Sequence, residues 1–207
     1  MFKSFEKRFQ KVNKGKIFYR IGGFGPPLLL LHGYPQNHYM WNKIADTLAK
    51  NFTVILPDLR GYGQSFVIKG DDKHINYSKR EMAKDMVQLM DKIGYSKFLL
   101  GGHDRGGRVA HRLARDYRDK VIALSVMDIC PTLDMYNATD QDFATSYFHW
   151  FFLIQPKFIP ENFISKDPKT WLNYCLKKWS GGFNFKGVDK YYLKYFKDYK
   201  RIHSSCE

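Results

Sequence analysis

Gly102-His103-Asp104-Arg105-Gly106 sets a carboxylate between two glycines, where one hydropathy pattern gives way to another. The run Ser96–Gly101 before it reads as a strand, and Gly107–Ala114 after it reads as a helix. A Gly-x-nucleophile-x-Gly turn in that setting lifts its middle side chain above the end of a sheet. The glycines allow the sharp turn and the close packing. The middle residue is Asp104, not serine, which points to displacement at carbon rather than acyl transfer. Taken alone Asp104 would read as a helix N-cap; the strand–turn–helix context favours the nucleophile.

Two further segments fall where such a turn needs partners. His32-Gly33-Tyr34-Pro35-Gln36 follows the apolar run Pro27–His32. A turn there supplies a backbone N–H to an oxyanion hole, paired with the N–H that follows the nucleophile. Those donors are Tyr34 and Arg105. Asp128 sits near the end of Val121–Ile129, where an acid can orient a catalytic histidine. Its plain alternative is a turn aspartate ahead of Pro131. Asp58, Arg60 and Ser65 read as a structural loop, and His32 and His103 as turn geometry.

The elements that must position these residues alternate. Phe5–Val12 and Lys16–Ile21 read as a hairpin about Asn13-Lys14-Gly15. Pro27–His32, Phe52–Pro57, Lys97–Gly101 and Val121–Ile129 read as strands, separated by helical patterns over Trp41–Ala49, Lys79–Ile93 and Gly107–Tyr117. The expected class is α/β, a mainly parallel sheet flanked by helices. After Pro131 the chain is rich in Phe, Tyr, Trp and Lys and helical in short pieces. It divides into a core at 1–135 and a helical cap at 136–207, laid over the carboxyl edge of the sheet where ligands bind.

Composition narrows the function. The 207 residues are 44% hydrophobic with a net charge of +14. The lysines are scattered and accompany no recognition motif, so no nucleic-acid partner is expected. The excess charge suits recruitment of a small anion. No apolar run nears the roughly 20 residues that span a bilayer, so no membrane partner is expected. The start, Met1 to Arg8, has no signal-peptide pattern. Cys130, Cys175 and Cys206 fit neither a disulfide framework nor a zinc site. A cytoplasmic enzyme without cofactor or metal is expected.

The segments HGYPQNHYMW, DLRGYGQS, GGHDRGGRVAHRLARDY, VMDICPT and FHWFFLIQP resemble the haloacetate (fluoroacetate) dehalogenases of the α/β-hydrolase fold. The resemblance runs from residue 32 to about 156, more weakly to RIHSSCE at 201–207. HGxP or GxDxG alone would indicate only the superfamily; the Asp-Arg-x-x-Arg elbow with a later His-Trp pair is narrower. The resemblance implies that Asp104 attacks the halogen-bearing carbon and forms an ester. It implies that Arg105 and Arg108 hold the substrate carboxylate, as bidentate arginine can, the alternative being surface charge or a structural ion pair. It implies that His149 and Trp150 donate N–H bonds to the departing halide, where they would otherwise read as an aromatic cap patch. Trp179 either lines the halide end or packs. Asp128 would orient the base.

The chain departs from that family late. The family's cap continues past Cys206-Glu207 into an Asp-Tyr-Arg segment whose tyrosine is a third halide donor. That segment, the last two strands, the base histidine and the final helix have no counterpart here. After Asp128 the histidines are His149, assigned to halide, and His203, expected to be exposed on the cap. The expectation is a chain that alkylates itself without turning over. Its Val121–Ile129 edge would self-associate or pair with a missing C-terminal half. Competing readings are an epoxide hydrolase or other aspartate-nucleophile hydrolase, for which Arg105 and Arg108 would be wasted, and a non-catalytic fragment or subunit completed by a second chain.

Overall fold

The computed structural model describes every residue of the chain except Asn184 and Lys186. Among the described residues six strands form one mixed sheet in the order β1-β2-β4-β3-β5-β6. They are Phe5–Lys11 (β1), Lys16–Gly22 (β2), Pro27–Leu31 (β3), Thr53–Pro57 (β4), Phe98–His103 (β5) and Val121–Met127 (β6). The hairpin β1–β2 joins antiparallel to β4, and β3, β4, β5 and β6 run parallel. Leu29, Leu31, Val54, Ile55 and Leu56 are fully buried, as strands covered on both faces must be.

The helices follow their apolar spacing. A 3-10 turn at His38–Lys43 leads into α1 (Ala45–Leu48), in place of the continuous helix expected over Trp41–Ala49. The local reason is capping: the Asn37 side chain accepts from the Tyr39 N–H at 3.0 Å, and Asp58 Oδ1 accepts from the His38 N–H at 2.8 Å. The helix α2 (Lys79–Lys92) starts on the Ser78 cap and buries Met82, Met86, Leu89 and Met90. The helix α3 (Arg105–Asp116) buries Val109, Ala110 and Leu113 and packs on α2. Helices then continue without further strands: Thr132–Asn137 (α4), Gln141–Ser146 (α5), Phe148–Leu153 (α6), Ile159–Lys166 (α7), Pro168–Lys178 (α8), Asp189–Phe196 (α9) and Tyr199–Cys206 (α10).

Strand order reverses between β3 and β5, because β3 continues to β4 on one side and β4 crosses back to β5 on the other. The loops after β3 and β5 therefore diverge at their carboxyl ends and open a crevice, the usual ligand position in such sheets. The loop after β4 is fixed from below. Arg60, only 1% exposed, donates from Nε and Nη2 to the two Asp85 oxygens at 2.6 and 2.7 Å. His32 is fully buried, and its Nε2 accepts from the Leu59 N–H at 3.0 Å. These residues are structural, in line with their reading from sequence.

At the opposite side of the sheet β6 pairs, among the described residues, only with β5. Ile122, Leu124 and Val126 on one face of β6 are exposed by 58%, 39% and 44%.

Candidate active site

Asp104 stands between β5 and α3 with φ 51° and ψ −120°, a backbone conformation an L-residue adopts only when its surroundings impose it. The imposition is visible at the glycines. A Cβ on Gly106 would lie 2.4 Å from the His32 carbonyl oxygen, and one on Gly102 would lie 2.4 Å from the Gly106 carbonyl oxygen. The Asp104 N–H donates to the Met127 carbonyl of β6 at 3.1 Å, and its own carbonyl accepts from the Arg108 N–H to start α3. The carboxylate faces the loop after β3, where the Tyr34 N–H donates to Oδ1 at 2.7 Å.

A cavity of about 1000 Å³ opens over this carboxylate, between the strand ends and the later helices. Asp104, Arg105, Arg108, Asp128, His149, Trp150, Trp179 and Tyr34 all line it, so the residues singled out in the sequence converge on one space.

Arg105 Nη1 donates to the Tyr62 hydroxyl at 2.9 Å and to the Ser205 carbonyl at 2.7 Å. Its guanidinium lies 4.7 Å from the Tyr34 ring centroid. Burial opposes its charge, but Tyr62, Asp104 and Tyr34 around it hold its pKa above the ordinary arginine value. Arg108 reaches the other flank, donating from Nη1 to the Cys130 carbonyl at 3.3 Å and to the Thr132 hydroxyl. Its guanidinium covers the Trp150 ring at 4.6 Å. Burial lowers its pKa, partly offset by Asp104.

His149 and Trp150 are neighbours on α6. His149 is 8% exposed, and its Nδ1 is buried without a hydrogen-bond partner among the described residues. Trp179 packs on it with ring centroids 4.1 Å apart. Burial pushes the His149 pKa down to about 4, against the pull of Asp104. The imidazole is therefore neutral at neutral pH, with one N–H to give. Tyr34 and Trp171 make a second link between sheet and cap: Trp171 Nε1 donates to the Tyr34 hydroxyl at 2.6 Å.

Asp128 has a 78% exposed side chain, and its Oδ2 lies 3.6 Å from His103 Nε2. His203 differs from its expected exposed position. Its side chain is only 16% exposed, and it pairs with Glu161 at 2.7 Å and Glu207 at 3.3 Å. The cause is long-range: α10 packs on α7, and Glu161 is buried there. Sequence reading also passed over Tyr62, Trp171 and Lys79, each of which reaches the cavity or its walls. The Gly61-Tyr62-Gly63 spacing was the available signal for Tyr62; Trp171 had none.

Among the described residues no group of three or more His, Cys, Asp and Glu side chains could hold a metal ion. No described helix is long and apolar enough to cross a membrane.

Comparison with known proteins fits this architecture. Fluoroacetate dehalogenase from Burkholderia sp. is 45% identical over the whole chain, which spans 69% of that enzyme's length. Soluble epoxide hydrolase from Corynebacterium sp. (strain C12) is 43% identical over 122 residues, covering 59% of this chain and 41% of that protein. A solved structure from Nostoc sp. PCC 7120, which bears an α/β-hydrolase name, superposes with a TM-score of 0.96 at 50% identity, over 100% of this chain and 72% of that one. The family model for the alpha/beta hydrolase fold matches residues 26–194. With a mixed sheet, an aspartate elbow at its switch point and these relatives, the chain belongs to the α/β-hydrolase fold family of hydrolases.

Proposed function

We propose that this hydrolase displaces halide from a small 2-haloacid through an ester on Asp104. The observation that carries the reading is the placing of one carboxylate between two arginines at the floor of a single cavity. With Oδ1 held by the Tyr34 N–H, Oδ2 is the oxygen left to attack. It forms a bond to the halogen-bearing carbon as the carbon–halogen bond breaks, and the halide leaves with the electron pair. Arg105 and Arg108 orient the substrate through its carboxylate, converting an encounter into an aligned one. His149, neutral, and Trp150 give N–H donors to the charge that develops on the halogen.

Release requires water to add to the Asp104 carbonyl carbon. Oδ1 then carries the negative charge and remains under the Tyr34 N–H, so the bond that fixes the nucleophile also serves the second step. Collapse frees the 2-hydroxy acid and restores the carboxylate. Among the described residues the imidazoles lining the cavity are His103 and His149. Asp128 Oδ2 lies 3.6 Å from His103 Nε2, and the other nitrogen of that ring is buried, so His103 keeps its role in the turn and displacement is the half of the reaction that the described residues support.

Incubation with fluoroacetate and chloroacetate, followed by intact and peptide mass spectrometry with parallel halide detection, tests this. The expected result is halide release with the added mass on the Asp104 peptide. A folded sample giving neither adduct nor halide sinks the reading.

The similarity to a soluble epoxide hydrolase favours a second reading, since an aspartate elbow also opens epoxides. Arg105 and Arg108 separate the two, because a neutral epoxide offers them nothing to bind. Preference for an epoxide over a haloacid in the same assay would select the alternative.

A further inference from the structure

Lys79 is the first residue of α2, and it lines the same cavity as Asp104, Arg105 and Arg108. Its ammonium has one polar contact, a long 3.4 Å bond to the Tyr77 carbonyl. Three other lysines have carboxylate partners: Lys14 and Lys84 pair with Glu81, and Lys120 with Asp91. Lys79 forms no such pair among the described residues.

Among the described residues four Lys and Arg side chains, Lys79, Arg105, Arg108 and Lys178, therefore line one cavity, and of the two lysines Lys79 is the one beside the arginines that flank Asp104. The acids lining it among the described residues are Asp104, Asp128 and Glu207. Asp104 is held by Tyr34. Asp128 lies out at the rim beside His103. Glu207 is taken by His74 and His203. A substrate with one carboxylate occupies the arginines and leaves Lys79 without a counter-ion. Burial, then repulsion from Arg105 and Arg108, pushes the Lys79 pKa down to about 7, with Asp104 pulling the other way. Lys79 is part-buried, and an arriving anion offsets the cost of holding its charge beside two arginines. The open cavity has room for a four-carbon diacid.

We infer that Lys79 binds a second anionic group, so that the preferred substrates are haloacids carrying a second carboxylate, such as 2-halodicarboxylates. The dicarboxylate part stands on Lys79, Arg105 and Arg108 alone; the haloacid part rests on the function proposed above. Lys79 is a specificity residue in this scheme and takes no part in the displacement.

The test separates the two parts by using ligands without halogen. Titration calorimetry of the full chain with succinate and with acetate is expected to show succinate binding about tenfold tighter, the scale of one charge-assisted bond. At pH 8 succinate binding should take up close to one proton, read from the dependence of the heat on buffer. Lys79→Met should lose most of the succinate-to-acetate ratio and the proton uptake. Lys79→Arg should keep the ratio and lose the uptake, which distinguishes binding from a merely structural role. Equal affinities in the native chain, or an unchanged ratio in Lys79→Met, overturns the inference. Inorganic phosphate binding tighter than succinate overturns the dicarboxylate assignment. Halide release from chloroacetate without any dicarboxylate preference would leave the dehalogenase function standing and this inference refuted.

Discussion

The Tyr34 N–H donates to Asp104 Oδ1 at 2.7 Å across the junction of β3 and β5. In the proposed reaction one loop thereby selects which carboxylate oxygen attacks and holds the other where charge later accumulates. Removing the carboxylate removes both functions. Asp104→Ala is expected to lower halide release by at least about 10³-fold, as loss of a nucleophile does elsewhere, and to abolish any covalent adduct. Circular dichroism should remain native, because the side chain caps nothing in α3. Full activity in that variant would place the nucleophile elsewhere.

Arg108 is prepared for an anion by contacts that fix its fork: the Cys130 carbonyl, the Thr132 hydroxyl and the face of Trp150. Arg108→Met should raise KM for a haloacid by about 10–100-fold, the equivalent of one charge-assisted bond, with a smaller fall in kcat. Arg108→Lys should fall between, since it keeps the charge and loses the fork. A variant that loses kcat alone would count against carboxylate binding.

His149 carries a pH signature. Burial lowers its pKa to about 4 in the folded chain, against about 6.5 when unfolded. The unfolded chain therefore binds the extra proton first, and stability falls as pH drops through the window from about 6.5 to about 4. The group's contribution, fully present above that window, is on the order of 3 kcal/mol. In denaturant melts across this window the native chain should lose stability relative to His149→Gln as pH falls. Parallel curves at every pH would mean that His149 is not desolvated.

Much of this site is legible in the sequence because it is local. The elbow is fixed by Gly102 and Gly106, whose missing Cβ atoms are what the turn requires, and its spacing is readable without tertiary knowledge. The strands β3, β4 and β5 are legible because burial on both faces makes them continuous apolar runs. Lys79 is not legible. A lysine in the first turn of an amphipathic helix reads as solvated, and only the packing of α2 on α3 turns it toward Asp104. His203 fails for the same reason, since its Glu161 partner is 42 positions away on another helix. Trp171 and Tyr34, 137 positions apart, leave no trace at either sequence position.

The Arg60–Asp85 pair supports the site from beneath. Both side chains are almost fully buried, and the guanidinium also donates to the Asn76 and Glu81 carbonyls at 2.5 and 3.1 Å. Removing one partner leaves the other charge buried and unpaired. Asp85→Asn is expected to destabilise the chain by about 3–5 kcal/mol, measured by urea unfolding. Chemistry at Asp104, measured per folded molecule, should change little, because Asp85 does not line the cavity.

The free side of β6 makes the last prediction. Among the described residues the strand has β5 on one side and none on the other, and Ile122, Leu124 and Val126 present an exposed apolar row. Unpaired N–H and C=O groups beside apolar side chains are a template for another strand. A second copy of the described chain offers such a strand. Light scattering and sedimentation should show association that rises with protein concentration. A charge on the row opposes close approach of copies, so Leu124→Lys should shift the population toward monomer. Since Leu124 is already 39% exposed, the cost in stability should be small, within about 0.5 kcal/mol. A native chain that stays monomeric at all concentrations would show that β6 is protected by its twist or its neighbours.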